Sequence, residues 1–340
     1  MRAGLCSICG NTKGSNMRKI NGIVAAVLTA CLLCGCSIGG RQVFFSFSGP
    51  FTVFTIGPLS CGKTEAKVYL ANYKNLYEKV GETDLWNGKF DVSGVGDGIR
   101  TAAINHLSEV YLLDLYAKEN DIVLDEAEKK QVALAAKEYL ESLDEGEQKA
   151  LGVSLRNIRK MAEHYALAEK VYAQLMDSVD EEVSEDEARI MDAYVLYITD
   201  KKLYKKLTVQ IKNGATFERL VSTYSEGDKG LVSFGRNTYP KAVEKKAFAL
   251  EDDEISQGIK TDDGYYFVQC IDKYNEELSE ENKKKIIAAR KEELLRTIVS
   301  DQQEQYNSQI NERLLKRIPV ETDDVKTDSF FSVMEEHLAF

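Results

Sequence analysis

The apolar and polar positions change period most often between Ala188 and Lys273, and that stretch sets the reading of the chain. Five consecutive apolar residues, Tyr194 to Ile198, predict a buried strand. Lys201 to Asn213 has a helical period and stops at Gly214, a residue suited to the left-handed conformation of a helix end. Phe217 to Tyr224 predicts a second short helix, Ser225 to Gly230 a polar loop, and Leu231 to Phe234 a short strand. Pro240 can open a third helix from its first turn. Thr261-Asp262-Asp263-Gly264 is a turn signal between Ile259 and a strand from Tyr265 to Ile271. The predicted order is β-α-α-β-α-β-β, an α+β unit.

The flanks are helical. A helix starting at Thr64 carries Tyr69, Tyr73 and Tyr77 four residues apart, a stripe expected to line a core. Residues 81–98 read as a glycine-rich connection containing the single Trp86. Three helices are expected from Gly98 to Val179. Their stripes are Ile104, Leu107, Tyr111 and Leu115, then Val132, Ala136, Tyr139 and Leu143, then a third from Leu155 through Ile158, Ala162 and Tyr165 to Leu175. Asp125 and Ser154 are expected caps, and Ser184 to Glu187 forms a capping-box pattern. A long helix from Ser279 to Lys316 follows, closed by Pro319; its spacing drifts off a strict heptad, against a coiled coil. The remainder reads as a loosely held acidic tail. Ahead of the helices, Val43 to Phe47 and Val53 to Ile56, separated by Gly49-Pro50, are expected to pair as strands or form an extended arm.

The Gly214-x-x-Phe217 pair, the Ala247-Phe248-x-Leu250 helix end, Glu254-Ile255-Ser256 and the Asp263-Gly264-Tyr265 hairpin, in this order of elements, resemble the parvulin (PpiC-type) peptidyl-prolyl isomerase domain. The order of leader, helices, parvulin module and returning helix resembles the extracytoplasmic foldases of the PrsA and SurA type. The resemblance implies an α+β chain with a split helical domain around an inserted parvulin domain. The expected divisions are 1–35 leader, 36–63 tether and arm, 64–183 helical domain, 184–275 parvulin-like domain, 276–318 returning helix and 319–340 tail.

Parvulins of this family carry a His in the first strand, an Asp or Cys before the second, a Met or Leu and a Phe around the third helix, and a second His in the last strand. Aligned through Gly214, these positions fall on Val195, with Tyr194 its neighbour if the register slips by one, then near Gly230, near Tyr239 and Val243, and on Tyr266. None of the polar catalytic types is kept. Tyr194, Tyr239 and Tyr266 could supply hydroxyls instead, and with Phe234 they are the expected peptide-binding residues.

Composition adds an address. Met17-Arg18-Lys19 precedes an apolar run from Ile23 to Leu33, too short to span a bilayer, and the run ends in Leu33-Cys34-Gly35-Cys36. This is a secretory signal whose ending resembles a bacterial lipobox, making Cys36 the lipid-modified first residue, with translation starting at Met1 or Met17. Removing the leader leaves 40 basic and 55 acidic residues, so the chain has no electrostatic basis for binding nucleic acid. The lipid, rather than a basic patch, would hold it at the membrane. Of seven cysteines only Cys61 and Cys270 then remain unmodified, as a disulfide or as two free buried thiols.

His106, His164 and His337 lie outside the parvulin-like stretch at no metal-ligand spacing, so no metal or cofactor is expected and the histidines read as structural. No nucleophile, base and orienter assemble, which excludes a hydrolase reading. The expected function is a membrane-anchored foldase acting on unfolded or proline-containing exported polypeptides, with isomerase activity weak or lost. The alternatives are an active isomerase with a tyrosine-substituted site and a non-catalytic adaptor for one partner.

Overall fold

The computed structural model describes residues 49–80, 94–320, 324–338 and 340. The expected leader, Cys36, the strand at 43–47 and Trp86 lie outside the described residues. The described residues begin with β1 (Thr52–Ile56), β2 (Leu59–Gly62), α1 (Lys63–Val80), α2 (Val95–Glu119), α3 (Glu126–Ser142), α4 (Glu145–Leu151), α5 (Leu155–Asp177) and α6 (Glu185–Ala188). It continues with β3 (Met191–Ile198), α7 (Lys201–Lys212), α8 (Phe217–Tyr224), β4 (Leu231–Phe234), α9 (Lys241–Ala247), β5 (Ile259–Lys260) and β6 (Tyr265–Asp272). It closes with α10 (Glu276–Gln305), β7 (Ser308–Ile310), α11 (Glu312–Leu315) and α12 (Phe330–His337). Two compact units result: Met176–Leu295, and the described residues up to Leu175 together with Arg296–Phe340.

The helical unit buries the expected stripes, because each repeats at the period that keeps one face inward. Leu107, Tyr111, Val132, Tyr139, Ile158 and Tyr165 are all fully buried, whereas Leu155, at the first turn of α5, is exposed. Tyr69 and Tyr73 are core residues as expected. Asp125 caps α3 in a full capping box with Glu128. The connection through 98 is shorter than expected: α2 starts at Val95 after Gly94, which takes φ 88°, so Gly96 and Gly98 are helical. A helix absent from the sequence reading, α4, is closed at both ends by Asp144 and by Gly152 at φ 72°.

Three further differences share one cause, pairing between residues distant in the chain. β1 takes β2 on one edge and β7 on the other, with Phe54 opposite both Cys61 and Ile310. Val53, Phe54 and Ile56 are buried, so this stretch is core rather than an exposed arm. The long helix ends at Gln305 instead of Lys316, because Ser308–Ile310 completes that sheet and Asn311 caps α11 by accepting from the Leu314 amide. The C-terminal stretch is not a loose tail: Val325, Phe330, Phe331 and Met334 are buried in the helical core. Cys61 and Cys270 are both free and buried.

Gly57 sits at φ +52°, and a Cβ there would lie 2.4 Å from the Tyr306 ring. Gly57→Ala should therefore cost about 1–2 kcal/mol from the left-handed backbone alone. Faster amide exchange at Gly57, whose N–H donates to Asn307 O, would report it; unchanged protection would refute it.

The second unit has the expected β-α-α-β-α-β-β order. Its antiparallel sheet runs β4-β3-β6-β5. β3 begins at Met191, three residues before the expected strand, because Met191 to Ala193 pair with Val232 to Phe234. Gly214 takes φ +80°, as a helix end requires. Pro240 is the residue preceding α9 rather than its first turn.

Candidate functional site

Alternation along β3 and β6 sorts the expected site residues onto two faces of the sheet. Val195, Val243 and Tyr266 share one apolar cluster with Phe234 and Phe248, against which Tyr197 and Tyr239 pack. Tyr194 packs against the other cluster, with Leu196, Leu207 and Phe267, under α7 and α8. The structure thus brings together Val195, Phe234, Tyr239, Val243 and Tyr266, and sets Tyr194 across the sheet from them. Gly230 is exposed in the loop leading into β4.

The first face carries a continuous aromatic row. Tyr197 lies 4.7 Å from Tyr266 between ring centroids, Tyr266 lies 6.4 Å from Tyr239, and Tyr239 meets Phe234 edge-on at 4.8 Å. Phe234 in turn lies 5.6 Å from Phe248, over which the Arg236 guanidinium sits at 4.3 Å. Such edge-to-face and cation–π contacts fix ring orientation as well as burying area.

Two of the three tyrosine hydroxyls are committed to the β5–β6 turn. Tyr197 donates to the Asp263 carbonyl at 2.8 Å, and Tyr266 donates to the Asp263 carboxylate at 3.0 Å. The Thr261 hydroxyl also donates to that carboxylate, and together the two donors hold Asp263 below the usual carboxylate range. Gly264 makes the arrangement possible, since a Cβ there would sit 2.7 Å from both Ile198 O and Tyr197 Cε2. The Asp-Gly pair thus seats two aromatic rings as well as turning the chain.

The Tyr239 hydroxyl makes no hydrogen bond among the described residues. Burial and the charge of Asp228 push its phenol up, so it remains a neutral donor at ordinary pH. Asp228 stands in the exposed loop between α8 and β4. That loop is pinned to the end of β3: the Glu226 amide donates to Tyr197 O at 2.8 Å, and its carboxylate accepts from the Thr199 amide at 3.0 Å.

Chemically the face offers two partly exposed rings, Tyr197 and Tyr239, over the buried Phe234 and Tyr266, and one free donor. Val195 is 3% exposed and apolar. Cys270 shares the face, but burial pushes its thiol up to about 11, which leaves it protonated and unreactive. Among the described residues no group of three or more His, Cys, Asp or Glu side chains could hold a metal ion. Tyr197, Asp228 and Asp263 were missed in the sequence. Tyr197 had a usable signal: it is two residues from Val195 and so shares its face, whereas Tyr194 does not.

Residues 198–272 match the rotamase family of PPIC-type PPIase domains. The match starts at the last residue of β3 and ends with β6, so Val195 and Tyr197 precede it. The chain is 25% identical over 278 residues to the foldase protein PrsA of Caldanaerobacter subterraneus, covering 74% of this chain and 82% of that one. It is 27% identical over 147 residues to foldase protein PrsA 4 of Bacillus cereus; that match covers 42% of this chain and spans half the length of the relative. The solved structure of a peptidylprolyl isomerase (PrsA) from Bacillus cereus is 20% identical, with a TM-score of 0.37 over 69% of this chain and 90% of the other. The chain carries a PPIC-type domain in an α+β fold and is similar to PrsA foldases.

Proposed function

We propose that the protein is an extracytoplasmic foldase of the parvulin family, held at the membrane by a lipid on Cys36, with isomerase activity that is weak or lost. The observation that carries the reading is the aromatic row on a PPIC-type domain, with Val195 and Tyr266 at the positions where the resemblance leads one to expect histidines. Prolyl isomerisation needs no covalent chemistry; it needs a surface that favours the twisted amide over the planar one across a barrier of about 18–20 kcal/mol. The partly exposed rings of the row, Tyr239 and Tyr197, can hold a proline ring. With the Tyr197 and Tyr266 hydroxyls committed to Asp263, the polar stabilisation left for the rotating carbonyl is one phenol. Binding is thereby favoured over catalysis. The lipobox supports the anchor, and the unfolded exported polypeptide is the expected partner. The helical unit, the described residues up to Leu175 together with Arg296–Phe340, would supply the chaperone surface.

The deciding experiment pairs a client-aggregation assay with an X-Pro peptide assay. The chain should suppress aggregation of a denatured client while accelerating the peptide little or not at all. A chain that does not suppress aggregation would remove the foldase reading.

The second reading, an isomerase with a substituted site, rests on the free Tyr239 hydroxyl. It predicts that Tyr239→Phe lowers any residual rate by about three- to tenfold, the worth of one hydrogen bond. Tyr194→Phe should leave the rate unchanged, because its ring lies on the opposite face. Equal effects of the two substitutions would end this reading.

A further inference from the structure

The stretch 325–329 has no regular secondary structure, and its backbone is bound by side chains of the helical unit. Glu147 on α4 accepts from the amides of Lys326 and Thr327 at 2.8 and 2.9 Å, and from the Thr327 hydroxyl at 2.8 Å. Asn75 on α1 donates to the carbonyls of Val325 and Thr327, both at 3.1 Å. Asn72, one turn earlier, accepts from the Phe330 amide at 3.0 Å. Asn72 is fully buried, and Asn75 and Glu147 are 7% exposed. Buried polar side chains of this kind are costly unless bonded, and here the partner is almost wholly main chain. The recognition is therefore nearly independent of the sequence bound.

Beyond this backbone clamp lie two aromatic seats. Phe330 meets Tyr139 at 5.1 Å between centroids, and Phe331 meets Tyr69 and His106, each at 5.2 Å. The side chains that wall these seats include buried polar atoms without a hydrogen-bond partner among the described residues, Tyr69 Oη and His106 Nε2 among them. A phenylalanine ring can meet neither of them. The pocket therefore has hydrogen-bonding capacity that its present occupant leaves unused.

We infer that this groove is a binding site for an extended polypeptide segment carrying adjacent aromatic residues, occupied in cis by residues 324–338. A client segment takes the same backbone clamp and the same two seats once the C-terminal stretch moves out. The inference deepens the foldase reading by giving clients a site in the helical unit. Occupation in cis lowers the apparent affinity for a client by the fraction of chains whose groove is open.

The test uses the full chain and a labelled synthetic peptide of residues 324–338, with a second peptide in which both phenylalanines are serine. Phe331→Ala and the milder Thr327→Ala alter the occupant and leave the clamp and seats intact. Phe331→Ala should bind the labelled peptide at least about tenfold more tightly than the parent chain. Thr327→Ala should fall between them, and the serine peptide should not bind. A denatured client should displace the bound peptide. If the variants keep amide protection in α2 yet take up no peptide, the site is refuted. If both variants lose that protection, the segment is permanent core and the inference falls. If uptake comes only from chains exchanging their C-terminal segments in a dimer, the occupant is a second copy and not a client. A chain that suppresses client aggregation but takes up no peptide loses this groove and keeps the foldase reading; the reverse result keeps the groove alone.

Discussion

Phe267→Ala is expected to destabilise the second unit by about 3–5 kcal/mol, the usual range for emptying a fully buried phenylalanine site. Phe267 stands in the middle of β6, is 1% exposed, and packs with Leu196, Leu207 and Phe217 between the sheet and α7 and α8. Tyr204 stacks on it at 5.4 Å, so the cavity would be walled by rings that cannot collapse into it without leaving their rotamers. Because Phe267 lies across the sheet from the aromatic row, the loss should appear as lowered unfolding midpoint, not as an altered pocket. A urea titration following the unit's fluorescence would measure it. A change below about 1 kcal/mol would show that this core is not close-packed.

The stability of the helical unit should fall as pH rises above the ordinary glutamate range, with Glu65 contributing beside Glu109, whose carboxyl burial and the charge of Glu169 push up to about 7. Glu65 is 8% exposed beside Cys61. The Tyr111 hydroxyl donates to its Oε2 at 2.8 Å, and its Oε1 is buried with no partner among the described residues. Burial raises its carboxyl above the ordinary glutamate value of 4.5; the charge of His164, the Tyr111 hydroxyl and Lys160 lower it in part, and Asp114 adds to the rise. In the window from 4.5 up to the raised folded value, the folded chain holds a proton that the unfolded chain has released. Stability there falls with rising pH, by at most about 1.4 kcal/mol per unit.

Asp114 acts with the opposite sign and at lower pH. It bonds to His164 at 3.0 Å and to Lys118 at 3.1 Å, and these partners outweigh its burial and hold it below its ordinary value. Its contribution is lost only as pH falls through that lowered value. Glu65→Gln should therefore lessen the slope above the ordinary glutamate range, leaving the share of Glu109, and leave the acid limb in place. Tyr111→Phe should cost about 1–3 kcal/mol by stripping the carboxylate of its donor. Urea midpoints taken across both limbs check the pair, and an identical slope in parent and Glu65→Gln would rule out Glu65 as a source.

What the sequence could state was what depends on neighbours a few residues apart. The elements from Tyr194 to Ile271 were legible because Gly214, Pro240 and Asp263-Gly264 punctuate periods that each suit one secondary structure. The helical stripes around Tyr111, Tyr139 and Tyr165 were legible because an amphipathic helix has one way to face a core. The similarity to PPIC-type domains rests on that same local order.

What the sequence left undecided depended on contacts between distant residues. No local signal says that Ser308–Ile310 will leave a helix to complete the sheet of β1, or that the acidic stretch after Pro319 will return Phe330 and Phe331 to the core. Those outcomes come from burial and pairing that only the assembled helical unit offers. The site followed the same division. Its tyrosines were visible one by one and the alternation of β3 separates Tyr194 from Tyr197, but only the register of β3 against β6 placed Tyr197 beside Tyr266. Only the turn at Asp263 engaged two of the hydroxyls and left Tyr239 free. A side chain's type is written in the chain, whereas whether its polar atom is free is fixed by the neighbours that folding brings to it.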